Sequence, residues 1–285
     1  MKQLLILSGK GGTGKTTIAS AFIKLSNAKA YADCDVDAPN LHLLMDETKE
    51  PKHTDYFGLP KADIDNSLCI KCDFCREHCS FDAIKTEDSL YKIDYYDCEG
   101  CGVCEVVCPV GAVDLKPAIA GDLMLYKNNQ VFSTAQLKMG SGTSGMLVTE
   151  VKKAMKVAIL DTELAIIDGS PGIGCPVIAS LSGVDMVLIV SEPSISGISD
   201  MERIIKTAEG FGTKIAVCIN KYDTNLENTA KIEYYCKENN LTFLGKIPFD
   251  SDAVKAINNG KSIIDIDCSA GRATKEIFIE TLKIL

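Results

Sequence analysis

No stretch of this 285-residue sequence is long and apolar enough to cross a bilayer. The apolar start at Met1–Leu7 has neither the basic n-region nor the small-residue cleavage site of a signal peptide. These absences predict a soluble, cytoplasmic protein. Positive charge is also in short supply: 30 Lys and Arg stand against 39 Asp and Glu, a net of −9. That argues against non-specific nucleic acid or anionic lipid as a partner. The amphipathic C-terminal segment Ala273–Leu285 sets Lys275 and Lys283 against Glu276 and Glu280, so it lacks the basic face of a membrane anchor and is expected to pack on a sheet. Disorder is excluded by 46% hydrophobic and 24% charged residues.

Cysteine, by contrast, is abundant, at thirteen residues. In a reducing compartment that points to metal rather than disulfides. Eight of the thirteen fall between Cys69 and Cys108, while Cys34, Cys175, Cys218, Cys236 and Cys268 are scattered through apolar segments as small hydrophobes. The cluster lies in a stretch bounded by Pro60 and Pro117 with its own charge balance: six Lys and Arg against twelve Asp and Glu, a net of −6 that is most of the whole chain's −9. The stretch is an internal repeat. A shift of 29 residues carries Cys69, Cys72, Cys75 and Cys79 onto Cys98, Cys101, Cys104 and Cys108, and Ile64-Asp65 onto Ile93-Asp94. Each half reads C-x2-C-x2-C-x3-C, with Pro109 after the second run and Ser80 after the first. Structural zinc favours well-separated pairs of cysteines and fits this spacing poorly. His78 reads as a solvated loop residue.

Outside this stretch, short apolar runs alternate with helical patterns. Strands are expected at Gln3–Leu7, Ala28–Ala32, Leu164–Ile167, Met186–Val190, Lys214–Ile219 and Thr242–Leu244. Helices are expected at Met146–Ala158, Ile198–Glu209, Glu227–Asn239 and Ala273–Leu285, and a hairpin at Leu123–Leu137 turning at Asn128-Asn129. The fold class is therefore α/β, a mostly parallel sheet with helices on both faces, carrying a small α+β insertion. Residues 1–59 and 118–285 form the discontinuous main domain and 60–117 the inserted one.

Between the first strand and the first helix stands Ser8-Gly9-Lys10-Gly11-Gly12-Thr13-Gly14-Lys15-Thr16-Thr17, a G-x-x-x-x-G-K-[ST] loop. Gly11, Gly12, Thr13, Gly14 and Thr17 can wrap backbone N–H groups around phosphates, Lys15 can reach the β- and γ-phosphates, and Thr16 can hold Mg²⁺.

The spacing of the cysteine runs resembles that of bacterial-type ferredoxins, in which the fourth cysteine of each run ligates the other cluster. The resemblance implies one [4Fe–4S] cluster on Cys69, Cys72, Cys75 and Cys108 and another on Cys98, Cys101, Cys104 and Cys79. The phosphate loop, with its extra Lys10, resembles the deviant-Walker family of MinD, ParA, nitrogenase iron protein and the Mrp/Nbp35-type cluster carriers. That resemblance implies an ATP-sandwich homodimer in which Lys10 reaches the partner subunit's nucleotide. It also implies that Asp35 lies near the attacking water, that Asp33 and Asp168 lie near Mg²⁺, and that Gly172 lies near the γ-phosphate. Asn220, Lys221, Pro248 and Asp250 would surround the base. Asn220-Lys221-Tyr222-Asp223 also fits the N-K-x-D guanine motif, though the wider resemblance favours ATP. Cys175, seven residues after Asp168, sits where the nitrogenase iron protein has a cluster ligand. The matching second pair is missing, since Gly140–Gly145 contains no cysteine, and the C-terminal C-x-x-C of the cluster carriers is absent too. Cys175 is thus read as a buried structural thiol, with an interface thiol as the functional version.

Together these features imply an ATP hydrolase, weak without its partner, with Mg²⁺, ATP and two [4Fe–4S] clusters as cofactors. It would couple the nucleotide to electron transfer toward a redox partner protein. The alternative is an ATPase that assembles or delivers clusters or metal to a client enzyme.

Overall fold

The computed structural model of the chain describes residues 1–45, 50–158 and 162–285. Its main body is a nine-stranded sheet. In chain order the elements are β1 (Lys2–Leu7), α1 (Lys15–Ser26), β2 (Ala30–Asp33), β3 (Lys52–Phe57), β4 (Lys61–Ile64), α2 (Phe74–Glu77), β5 (Ile84–Glu87), β6 (Leu90–Ile93), α3 (Val103–Val106) and β7 (Val113–Lys116). They continue as β8 (Ile119–Lys127), β9 (Val131–Leu137), α4 (Ser144–Ala158), β10 (Leu164–Asp168), α5 (Cys175–Leu181), β11 (Met186–Ser191), α6 (Ile195–Glu209), β12 (Lys214–Asn220), α7 (Leu226–Glu238), β13 (Thr242–Ile247), α8 (Ser251–Asn258) and α9 (Ser269–Ile284). The sheet order is β13-β12-β11-β1-β10-β2-β9-β8-β3. Pairing is parallel from β13 to β9, and antiparallel for β9–β8 and β8–β3.

Alternate side chains of β1 enter two cores, as strands buried on both faces require. Leu5 and Leu7 join the core under α4, α5, α6 and α7. Leu4 and Ile6 join the one under α1, α8 and α9. The C-terminal helix α9 buries Ile277 and Phe278 on this second face, as its pattern anticipates, and Phe278 meets Phe22 edge-on at 5.0 Å between ring centroids. Among the described residues no helix is long and apolar enough to cross a membrane.

The hairpin expected near Leu123–Leu137 is present but not free-standing. Its second strand, β9, extends the parallel sheet beside β2, and its first, β8, pairs with an edge strand, β3, that the sequence reading did not anticipate. The exposed face of β3 explains the omission: only Tyr56 of its six residues is buried, so no apolar period marks it. Consequently the cysteine stretch does not follow directly on the phosphate-site loops. It is carried at the end of the β3–β8 pair, where its two chain crossings run side by side.

The insertion contains two antiparallel pairs, β4–β7 and β5–β6. Under the 29-residue shift β4 lands on β6, α2 on α3 and β5 on β7. Each pair joins one strand from each half, so the halves are interlocked around a shared core of Ala62, Ile64, Ala83, Ile84, Tyr91 and Val113. The backbone conformation is duplicated as well. Lys71, Asp73 and Asp82 have positive φ (62°, 70° and 51°), and so do their twins Gly100, Gly102 and Gly111.

Candidate functional site

The phosphate loop leaves β1 at the C-terminal edge of the sheet, where ligands of open α/β sheets bind. Strand register aligns Ile6 with Asp168, and Asp168 with Asp33, along that edge. Positive φ at Gly12 and Gly14 turns the loop into α1, which begins at Lys15. An open cavity lies over it, lined by Lys10 to Thr17, Asp35, Leu43 and Pro171.

Inside it Lys15 Nζ lies 2.6 Å from Asp168 Oδ1, and Thr16 Oγ1 donates to Asp168 Oδ2 at 2.7 Å. Burial opposes the Lys15 charge, but Asp168, Asp33 and Asp35 outweigh it and raise its pKa. Asp33 is pushed up to about 7, by burial first and then by Asp168. Burial likewise raises Asp35. Three carboxylates against one ammonium leave an excess of negative charge. The Thr16 hydroxyl and the Asp168 carboxylate, 2.7 Å apart, bring together two hard oxygen donors of the kind that suits Mg²⁺. Asp33 is less direct than expected. Its oxygens accept the backbone N–H groups of Asp35 (3.0 Å), Asn40 (3.0 Å) and Leu41 (2.9 Å), so it holds the loop that carries Asp35. Across the site, Ser170 donates to the Cys34 carbonyl and Gly172 N–H to the Ser8 carbonyl (3.1 Å), tying the loop after β10 to the loop after β2 and to the phosphate loop.

A second cavity opens from the first, with Gly12, Gly14 and Asn258 in both walls. Asn220, Lys221, Pro248, Phe249 and Asp250 line it. Asn220 Nδ2 donates to the Thr13 carbonyl (2.7 Å) and Lys221 Nζ to the Gly12 carbonyl (2.8 Å), which clamps the base side of the site onto the phosphate loop. Asp223, the residue that would read guanine, accepts the Phe249 N–H at 2.7 Å and is not part of the cavity wall. Asp250 caps α8 through the Asp252 and Ala253 N–H groups and also accepts from Ser269. These bonds hold its carboxyl well below the usual range, the Ser269 hydroxyl most of all. Both carboxylates therefore shape the 248–250 loop. Asp223→Ala is expected to weaken ATP binding by about tenfold through loss of one charge-assisted hydrogen bond, while leaving the preference for ATP over GTP unchanged. Competition between the two nucleotides, measured by calorimetry, checks both.

Lys10 is turned back on its own chain. Its ammonium meets Glu192 at 2.5 Å and the hydroxyls of Ser194 and Ser196 at 3.1 Å each. Glu192 also lies 3.8 Å from Lys221. Sequence reading missed Glu192, whose only signal is a carboxylate straight after the buried strand β11.

The eight clustered cysteines gather into two sets. Cys69, Cys72, Cys75 and Cys108 line one small pocket, and Cys98, Cys101, Cys104 and Cys79 line another. These are the sets that the cross-repeat pattern implies. Among the described residues no three His, Cys, Asp or Glu side chains converge closely enough for a single metal ion. Backbone N–H groups turn toward the sulfurs: Lys71 N to Cys69 Sγ at 3.4 Å and Ala112 N to Cys108 Sγ at 3.2 Å. Burial raises the Cys75 and Cys104 thiols. At Cys108 burial is outweighed by N–H donors from Val110 to Val113, and its pKa falls, which favours the thiolate. The donor chemistry fits two iron–sulfur groups.

The second cysteine loop rests on the main body. An added Cβ at Gly142 would lie 3.2 Å from Glu99 and one at Gly140 3.2 Å from Tyr96, while Gly100 packs on Pro60, the first residue of the module itself, where an added Cβ would lie 2.0 Å from the carbonyl oxygen. The 140–142 segment leads into α4, whose Gly145 backs onto Cys175 with only 3.1 Å to spare for a Cβ. Cys175 is exposed, contrary to the buried-thiol expectation, because it opens α5 directly after the loop that follows Asp168. Lys152 of α4 locks the other end of α5 by donating to the Ala179 (3.1 Å), Ser180 (2.6 Å) and Ser182 (2.7 Å) carbonyls. A continuous packed route thus joins the cysteine module to the phosphate site. Gly100→Ala is expected to push the second loop off Pro60, at a cost of about 1–3 kcal/mol. Its twin Lys71 holds a similar φ with a full side chain because it faces solvent. Chemical denaturation, with proteolysis near residue 60 as a second readout, checks this.

Comparison with known proteins adds three kinds of likeness. The family model described as the CobQ/CobB/MinD/ParA nucleotide binding domain matches residues 4–263. An uncharacterised protein of Methanocaldococcus jannaschii is 34% identical over 286 residues, covering 99% of this chain and 96% of the relative. An uncharacterised ferredoxin from the same organism is 37% identical over 85 residues, 29% of this chain and 56% of the relative. Among solved structures, the septum site-determining protein MinD of Pyrococcus horikoshii complexed with Mg-ADP superposes with a TM-score of 0.60 at 18% identity, covering 99% of this chain and 96% of that one.

Proposed function

Because the chain belongs to the CobQ/CobB/MinD/ParA nucleotide-binding family, we propose that it is an ATPase that couples nucleotide binding and hydrolysis to electron transfer toward a partner protein. The observation that carries this reading is the packed route from the second cysteine loop, through the 140–142 segment and α4, to α5 and the loop after Asp168. The likeness to a ferredoxin over part of the chain supports the redox half.

On this reading Thr16 and Asp168 hold Mg²⁺, and Lys15 swings from Asp168 to the β- and γ-phosphates. The Asp33-braced loop places Asp35 near the attacking water. The Asn220 and Lys221 clamp and the 248–250 loop seat the adenine. Lys10 leaves Glu192, Ser194 and Ser196 to meet the nucleotide of a second copy, giving an ATP-sandwich homodimer. The γ-phosphate draws Gly172 inward, which moves α5, and α4 carries the motion to the loop bearing Tyr96 and Glu99. Cys69, Cys72, Cys75 and Cys108 hold one [4Fe–4S] group, and Cys98, Cys101, Cys104 and Cys79 the other. When bound, these groups supply one-electron redox chemistry.

The test is anaerobic. The iron-loaded protein is reduced, and its midpoint potentials are measured without nucleotide, with Mg-ATP and with a non-hydrolysable analogue. A nucleotide-dependent shift supports the coupling, and identical potentials in all three states sink it. Stoichiometric movement of iron to an acceptor protein would favour the delivery reading instead.

A further inference from the structure

The duplicated module lets each residue of one copy be compared with its twin 29 positions away, and the two copies differ in one fixed charge. Of the six basic side chains in the module, Arg76, Lys85, Lys92 and Lys116 are ion-paired. Among the described residues Lys61 and Lys71 have no carboxylate within ion-pair distance. Lys71 is exposed, and no hydrogen bond among those residues holds its ammonium. Lys61 is half-buried and held twice. Its ammonium donates to the carbonyl of Cys98 and lies 5.2 Å from the centre of the Tyr95 ring. Tyr95 is itself tied to the returning chain, its hydroxyl donating to the Ile119 carbonyl at 3.5 Å. The twins of Lys61 and Tyr95 are Leu90 and Asn66. Asn66 bonds to the Tyr91 backbone instead, donating to its carbonyl (2.9 Å) and accepting its N–H (3.0 Å). Among the described residues no ammonium or guanidinium donates to the carbonyl of Cys69, the twin of Cys98.

We propose that Lys61 raises the reduction potential of the iron–sulfur group on Cys98, Cys101, Cys104 and Cys79, a role for which the other copy has only Leu90. The proposal rests on the reading that the module holds redox groups. Reduction brings one electron, from a soluble low-potential reductant, to a core already ringed by four thiolates, and no covalent bond is made or broken. An ammonium fixed at the backbone of one ligand favours the added negative charge. Glu99 lines the same pocket and pulls the potential the other way, so Lys61 offsets it. The free ammonium of Lys71 lies in water, where screening weakens its pull on the first group. Lys61 also stands where the module begins. It follows Pro60 directly, and the Pro60 carbonyl is the surface on which Gly100 of the second loop packs. That close packing sets the position of Lys61 against the second loop.

Iron-loaded protein is titrated anaerobically with dithionite, and its two reduction steps are followed by electron paramagnetic resonance. Lys61→Met is expected to make one group about tenfold harder to reduce, a fall of about 59 mV for a one-electron step, with the other step and the iron content unchanged. Lys61→Arg keeps the charge and is expected to restore the original potential. Leu90→Lys places an ammonium at the twin position and is expected to raise the other step by a similar amount. This gain-of-charge variant decides the matter should Lys61→Met lose its iron, and unchanged potentials in it would then overturn the role of Lys61. So would an iron-loaded Lys61→Met with the original potentials, a Lys61→Arg that falls as far as Lys61→Met, or Lys61→Met and Leu90→Lys acting on the same step. A protein that takes up no iron overturns the redox reading and this proposal together. Potentials that ignore nucleotide but answer to Lys61→Met overturn only the coupling.

Discussion

Lys15→Ala is expected to lower ATP hydrolysis by about a hundredfold to a thousandfold, the usual effect of removing one preorganised charge from a transition state. The structure adds a reason for the upper part of that range. Lys15 is the cation that faces Asp168 at 2.6 Å and whose pKa is raised by Asp33, Asp35 and Asp168 together. Without it those carboxylates repel one another and the incoming phosphates. Asp168, deprived of its ion pair, is left to hold Thr16 alone. Affinity for Mg-ATP is expected to fall as well, because the same ammonium serves ground state and transition state. Hydrolysis rates at saturating Mg-ATP, with binding measured separately by calorimetry, separate the two losses. A variant that hydrolyses ATP at the original rate would place the phosphates elsewhere.

Cys108→Ala is expected to remove one whole iron–sulfur group and leave the other, lowering iron from about eight to about four per chain. The informative part is which group disappears. Cys108 belongs by sequence to the second run, yet it lines the cavity of Cys69, Cys72 and Cys75. Cys108→Ala and Cys69→Ala should therefore leave the same residual electron paramagnetic resonance spectrum. Cys79→Ala should instead match Cys98→Ala, since Cys79 lines the other cavity. A Cys108→Ala spectrum that matched Cys98→Ala would mean that each run serves itself. The interlocked strand pairs explain why crossing is favoured. β4 with β7 and β5 with β6 bring the end of each cysteine run to the start of the other.

Much of this was legible in the sequence for a local reason. A strand buried on both faces must be a continuous apolar run, and a phosphate loop must carry its glycines and lysine at fixed spacing, so both are visible in one pass along the chain. The parallel strands fall within a few residues of expectation, and Lys15, Thr16 and Asp168 come together as their motifs require. The misses share another cause. Strand β3 is an exposed edge with no apolar period, and α8 is a single short helix held by Asp250. Asp223 carries the pattern of a guanine reader, but its carboxylate is already taken by a backbone N–H from a loop 26 residues further on. Glu192 and Lys152 act on groups 182 and about 30 residues away in the chain, and no spacing rule records such distances.

The sequence by itself determined the parts: a nucleotide-binding α/β body, a duplicated module of eight cysteines, and the acidic charge of that module. These follow from periodicity and spacing, which are properties of neighbours along the chain. Only the tertiary structure decided how the parts meet. Gly100 and its twin Lys71 have nearly the same backbone, and nothing local says which loop will lie against Pro60. That choice depends on how the β3–β8 pair aims the module at the 140–142 segment. It is packing between distant residues that turns one copy of the repeat toward the 140–142 segment and leaves the other facing water.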